Sequence, residues 1–274
     1  MKKFLNLIKK NIFVIIVGII FGSVGVYAGT KFYASDVSVN APTGSNLGSN
    51  ATLQNALDDL YSKINSYTKL YPNGTVIYYN PTTGEKCSES ESDSKTGTKT
   101  GCMKWYTFND EEGNSSVNLI LDHNTTIHVS WNSSENNNEM KEIAIALEND
   151  TKDWKNAARL ITANEVAKIS ENNSFDVNKP GQSWFYLGSN NTTDDSKRSN
   201  YGWLYDRISN ICKDYGCLNN ADQNTWGYWT SSANISESTY AWIVGGHGVL
   251  GYNVTSITDN GVRPVITVSK SIIK

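Results

Sequence analysis

The residues able to do chemistry are few, and their spacing limits what they could do. Three histidines are present, His123, His128 and His247. Asp122 precedes His123, yet no Gly-x-Ser-x-Gly segment supplies the exposed nucleophile that a Ser/His/Asp arrangement needs. A histidine on or beside a strand is then better read as a polar face residue. Cys87, Cys102, Cys212 and Cys217 lack the Cys-x-x-Cys spacing of zinc sites. They form an even set, and pairing Cys87 with Cys102 and Cys212 with Cys217 is the simplest of three connectivities. Oxygen ligands gather at Asn219, Asn220, Asp222 and Asn224, and again at Asp194 and Asp195. Such clusters suit calcium, but the spacing is not that of an EF-hand, and a solvated Asn-rich loop accounts for them better. No P-loop or dinucleotide fingerprint occurs. No carboxylate pair is singled out for glycoside cleavage. The expectation is a non-catalytic chain with no cofactor or metal, calcium being the one ion its residues could serve.

Composition narrows the classes further. The chain has 274 residues, a formal charge of −3 and 19% charged residues. Asn, Ser and Thr make up close to a third of it. Neutral polar surfaces of this kind suit β-rich folds with long hydrogen-bonded loops. No basic stripe is present, which argues against a nucleic-acid partner. The 8 Trp, 15 Tyr and 7 Phe supply enough buriable surface for a real core and exclude a disordered chain.

The elements that must position these residues follow in order. Lys2, Lys3, Lys9 and Lys10 precede an apolar run from Ile12 to Ala28. This reads as a signal peptide or membrane anchor over 1–28, with cleavage before Gly29 or retention through residues 11–30 both open. Either way residues 29–274 are expected outside the cell, with the lysines inside. Residues 29–49 read as a linker. Leu53, Leu57, Leu60, Ile64 and Tyr67 step at heptad spacing, so 50–70 reads as an amphipathic helix, with Asn50 or Thr52 as cap. It either packs on the downstream domain or forms a short coiled coil that makes a homo-oligomer. Its segment Leu53–Tyr61 resembles a short helical repeat beside trimeric stalks of phage and bacterial surface fibres.

Residues 71–115 read as a β-rich segment. Strands are expected at Thr75–Tyr79 and Met103–Phe108, around a Cys87–Cys102 loop. Further strands are expected at Val117–Leu121, Thr125–Trp131, Arg159–Ile161, Tyr228–Ser232, Tyr240–Val244, Val249–Tyr252 and Gly261–Val268. Helices are expected at Lys141–Leu147 and from Thr162 to Ile169, the latter with Glu165 at the capping-box position. Trp229 and Trp242 lie on strands among small residues and are assigned to the core.

The carboxy-terminal half carries an ordered set of short motifs: Arg159-Leu160-Ile161-Thr162, Trp203-Leu204-Tyr205-Asp206, Tyr228-Trp229-Thr230-Ser231-Ser232, Tyr240-Ala241-Trp242-Ile243-Val244 and Gly261-Val262-Arg263-Pro264-Val265. In this order they resemble bacterial C-type-lectin-like domains. These are related to formylglycine-generating enzymes, to the Fibrobacter major paralogous domain and to diversity-generating-retroelement variable proteins. The resemblance covers roughly 116–274. It implies an α+β fold with short twisted antiparallel sheets, long loops and neighbouring termini. It also implies a ligand-binding surface near the last strands, here Ala233–Ser256, with Asn234, Ser236, Ser238, Tyr240, His247, Tyr252 and Asn253 as candidate contacts. Trp203 joins Trp229, Trp242 and Arg263 as core, and Arg263 is expected to hold a loop through a carboxylate, Asp206 or Asp222. The cysteine pair of the oxidases has no match, so oxidase activity is not carried over. The implied function is an adhesin-like surface protein that binds an extracellular glycan or protein. Alternatives are a pilus-like or fibre subunit assembled through the 50–70 helix, and an extracellular carbohydrate-active enzyme.

Overall fold

A computed structural model describes residues 52–55, 57–59, 61, 69–96, 98, 100–205 and 225–274. The expected signal or anchor segment, the linker, Cys212, Cys217 and the Asn219–Asn224 cluster lie outside the described residues. Among those described, no helix is long and apolar enough to cross a membrane.

The chain divides into two units, Met1–Ser62 and Lys63–Lys274. In the first, 53–55 and 57–59 are helical. Thr52 caps them, its side-chain oxygen accepting from the Asn55 amide at 3.3 Å. Leu53 and Leu57, two members of the heptad seam, are half-buried.

Among its described residues, the second unit is a mixed α+β fold of two five-stranded sheets. Its strands are β1 (Val76–Asn80), β2 (Glu85–Lys86), β3 (Met103–Phe108), β4 (Ser116–Leu121), β5 (Phe185–Tyr186), β6 (Gly227–Ala233), β7 (Tyr240–Gly245), β8 (Val249–Val254), β9 (Asn260–Gly261) and β10 (Val265–Ser269). The first sheet runs β10-β4-β3-β1-β2 and the second β5-β8-β7-β6-β9. Pairing is antiparallel except for β6 with β9. The helices are α1 (Asp93–Thr96), α2 (Glu142–Thr151), α3 (Ala163–Ile169) and α4 (Gly202–Tyr205). The first sheet crosses residue 115, where the sequence suggested a boundary: β1 and β3 continue directly into β4 and the last strand.

Period-two alternation builds the cores. Tyr106, Phe108 and Ile120 face one way and pack with α3, Phe185, Tyr228, Trp242 and Leu250. Their neighbours Trp105, Leu119 and Leu121 face the other way, with Ile77, Ile266 and Val268. A third cluster puts Trp229, Ala241 and Ile243 against Trp131, Ile143 and Leu160. Trp229 and Trp242 are therefore core, as expected. Trp203 is only partly buried at the edge of the first cluster.

The α3 cap forms as its spacing implied. The Thr162 side chain accepts from the Glu165 amide at 3.1 Å, and Glu165 accepts from the Thr162 amide at 2.8 Å. Two expected strands do not form. Arg159–Ile161 reduces to one bridge between Arg159 and Val265, and Thr125–Trp131 to one between Thr126 and Val262. The reason in the second case is local. His128 sits at φ 61°, which turns the chain out of a pleat. Main-chain bonds to Asn260 and Val262 still hold the segment, and indoles add to them: Trp229 Nε1 donates to the Val129 carbonyl at 2.7 Å, and Trp131 Nε1 to Thr230 at 3.1 Å. Expected strand Gly261–Val268 is likewise split, with Arg263 and Pro264 between β9 and β10. Gly227 lies so close to β7 that a Cβ would stand 2.1 Å from the Val244 carbonyl oxygen.

The Cys87–Cys102 disulfide is present, with a Cα–Cα distance of 6.1 Å. The two ends of the second unit meet: Lys270 Nζ donates to the Lys69 carbonyl at 2.9 Å, and Lys86 Nζ donates to the carbonyl of Lys274.

Candidate recognition surface

The β7–β8 hairpin is the natural starting point, because its register sets side chains in pairs. Trp242 stands opposite Tyr252, and Tyr240 opposite Val254. Residues opposite one another share a face, so Tyr240, Trp242 and Tyr252 lie together. Their rings meet edge to face: Tyr240–Tyr252 at 5.6 Å and 89°, Trp242–Tyr252 at 5.3 Å and 86°. Phe175 continues the series below, 4.9 Å from Trp242 and 5.5 Å from Phe185. This is the favoured geometry for aromatic pairs. The ladder begins in the core at Trp242, 1% exposed, and ends in solvent at Tyr252, 38% exposed.

The loop entering the hairpin is fixed by polar contacts. Asn234 is buried and turns the chain, its side-chain oxygen accepting from the Ser236 amide at 3.0 Å. The Asn137 amide group donates to the carbonyls of Asn234, Glu237 and Tyr240 at 2.8, 2.9 and 2.8 Å. Ser236 Oγ accepts from the Gly181 amide at 2.8 Å, which ties the 176–182 loop to the rim. Ser236 and Ser238 are exposed, as is Ile235 between Asn234 and Ser236. A rigid, polar rim thus borders two half-exposed phenols, with little side-chain entropy left to lose on contact.

The structure gathers part of the candidate set and separates the rest. Ser236, Ser238, Tyr240 and Tyr252 share the loop end of the hairpin. Asn234 belongs there too, but as a buried turn-former and not as a contact. Asn253 falls on the opposite face of β8, and its side-chain oxygen is taken by the Val254 amide at 2.9 Å. His247 sits in the turn at the other end, roughly 17 Å along the strands at the usual rise. Its ring faces Trp226 at 6.2 Å, and its carbonyl accepts from Arg198. Asn137, Phe175 and Gly181 were missed by the sequence reading. All three act across long sequence separations, and Asn137 stands in a run of asparagines that distinguishes none of its members.

A buried polar centre lies where β4 ends. Asp122 is fully buried and accepts from the Tyr106 hydroxyl at 2.6 Å, with Lys104 Nζ 3.6 Å away. Burial works against its ionisation, yet the Tyr106 hydroxyl and the charges on Lys104, Arg263 and His123 hold its carboxyl below the usual range. Arg263 is 1% exposed, and the two carboxylates expected to partner it, Asp206 and Asp222, are not among the described residues. Among the described residues, the Arg263 guanidinium donates to main-chain carbonyls: Leu121 at 2.6 Å, Leu204 at 2.5 Å, Trp203 at 2.8 Å and Asp122 at 3.3 Å. The fork thereby locks α4 against the end of β4, because five fixed donors suit several acceptors at once. Below it lies the Tyr228 ring, 5.1 Å from the guanidinium carbon. Burial pushes that phenol up to about 12, only partly offset by Arg263.

Among the described residues, no group of three or more His, Cys, Asp and Glu side chains could hold a metal. Of the calcium candidates in that region, Asp194 caps a turn through Ser196, and Asp195 pairs with Arg198 at 3.3 Å. Comparison with family models, curated proteins and solved structures found no match for this chain.

Proposed function

We propose that residues 71–274 form an extracellular recognition module of the C-type-lectin-like type. Residues 1–28 serve as signal or anchor, and the module binds a glycan or protein without catalysis. The observation that carries this reading is the aromatic ladder from buried Trp242 to half-buried Tyr240 and exposed Tyr252, bordered by the Asn137-clamped loop. Aromatic rings set rigidly beside adaptable hydroxyls suit sugar faces and protein side chains alike. Neighbouring chain ends, two largely antiparallel sheets and long loops agree with the family the motifs resemble. The disulfide suits an oxidising compartment.

The test is binding of the purified chain to glycan, mucin and extracellular-protein arrays, with calcium and with EDTA. Tyr240→Ala and Tyr252→Ala are compared with the parent, their folding checked by circular dichroism. Each ring should cost about tenfold in affinity, or about 1.4 kcal/mol. Binding that survives both substitutions unchanged, or arrays left blank by well-folded parent protein, refute the reading.

A further inference from the structure

Two buried groups have no part in the recognition surface. Asp110 follows β3 and Lys270 follows β10, and the sheet order brings these ends together across β4. Lys270 Nζ lies 2.8 Å from Asp110 Oδ2, and both side chains have no solvent exposure. The ammonium also donates to the Lys69 carbonyl at 2.9 Å. The Tyr71 amide donates to the same Oδ2 at 2.9 Å. Asp110 Oδ1 is buried without a hydrogen-bond partner among the described residues. Lys104 and Asp122 make an instructive contrast: they stand 3.6 Å apart and the lysine side chain keeps 20% exposure.

A fully buried ion pair loses much of its Coulombic gain to desolvation, and a carboxylate oxygen left bare adds to that cost. Proton transfer from the ammonium to Oδ1 removes both charges. It leaves an amine and a carboxylic acid in contact, a nucleophile beside an electrophile at an effective concentration no free pair reaches.

We propose that Lys270 Nζ and Asp110 Cγ condense to an intramolecular amide. The Nζ lone pair attacks Cγ, and the carbonyl electron pair moves onto Oδ2. The Tyr71 N–H is already aimed at that oxygen and stabilises its charge. A second Nζ proton passes to the Oδ1 hydroxyl, the Cγ–Oδ1 bond breaks and water departs. Oδ2 becomes the amide carbonyl oxygen. The remaining Nζ proton becomes the amide N–H, beside the Lys69 carbonyl. No oxidant, reductant or co-reactant is needed. Oδ1 is the leaving oxygen because it has no hydrogen bond among the described residues to give up. The product joins the two strands that flank β4, so a pull on the carboxy-terminal residues is carried to Asp110 without unzipping β10.

The experiment is peptide mapping of the full-length chain, denatured, reduced and digested, with Lys270→Arg and Asp110→Ala alongside. Reduction removes any disulfide. The parent should yield a branched peptide joining the Asp110 and Lys270 segments, lighter than their sum by one water. Both variants should lack it, whether or not they fold as well as the parent. Linear peptides alone from natively folded parent overturn the proposal and leave an ion pair. A branched peptide that persists in Lys270→Arg overturns the assignment of the nitrogen.

Discussion

Replacing Arg263 tests a buried side chain that bonds four main-chain oxygens at once. Its guanidinium reaches four carbonyls, on Leu121, Asp122, Trp203 and Leu204. Hydrogen bonds from a charged donor are worth roughly 1.5–3 kcal/mol each, and the loss is felt in full where acceptors stay buried. Arg263→Lys keeps the charge but replaces a planar fork by one ammonium. That ammonium cannot reach the carbonyls of β4 and of α4 together. The loss of two bonds, partly relieved by relaxation, predicts about 2–3 kcal/mol of destabilisation. Arg263→Met removes every donor and also the cation that helps keep Asp122 ionised, so about 3–5 kcal/mol is expected. Urea unfolding followed by tryptophan fluorescence measures both. With a slope of about 2 kcal/mol/M, Arg263→Lys should move the midpoint down by roughly 1 M. A Lys variant within about 0.5 kcal/mol of the parent would falsify the carbonyl-clamp account. Arg263 would then be a buried charge that relaxation can replace.

Two further outcomes follow from the same structure. The Cys87–Cys102 bond closes a loop of sequence separation 15, so the Cys87→Ser/Cys102→Ser double variant should lose about 3 kcal/mol in thermal or urea unfolding. An unchanged midpoint would mean that Asp93, which accepts from the amides of Thr100 and Gly101, holds the loop unaided. Asp122 should make stability depend on acid. Its folded carboxyl lies below the unfolded value near ~3.9, so its contribution is present above that pH and lost as pH falls through the folded value. Asp122→Asn should flatten the fall in urea midpoint below about pH 4, and parallel curves for the two proteins would contradict this.

Much of the local structure was legible from residue order alone. β3 occupies Met103–Phe108 as expected, and β1, β4, β6, β7 and β8 lie within one or two residues of their expected spans. The period-two alternation and the flanking Gly, Asn and Pro turns decide these strands before any tertiary contact. The Thr162–Glu165 box is local in the same sense, since its donors and acceptors are three residues apart. The burial of Trp229 and Trp242 was readable because large indoles on alternating strands have nowhere better to go.

What only the tertiary structure decided has one physical cause: the partners are distant in sequence, and composition does not say which carbonyl or ring will be near. Thr125–Trp131 has the side chains of a strand, but His128 turns it, and a few main-chain bonds with two indoles hold it where a regular ladder would have. The sequence offers Arg263 as a loop holder, but only the fold shows that the ends of β4 and α4 bring four main-chain oxygens to its guanidinium. Asn234, Asn253 and His247 have the composition of contact residues, while their placement gives them to a turn, to the far face and to the far end of the hairpin. Conversely, Asn137 and the Asp110–Lys270 pair are ordinary polar residues in the sequence. Their roles come from strand order and from loops folded back on the sheets, because hydrogen bonds and burial act on neighbours in space.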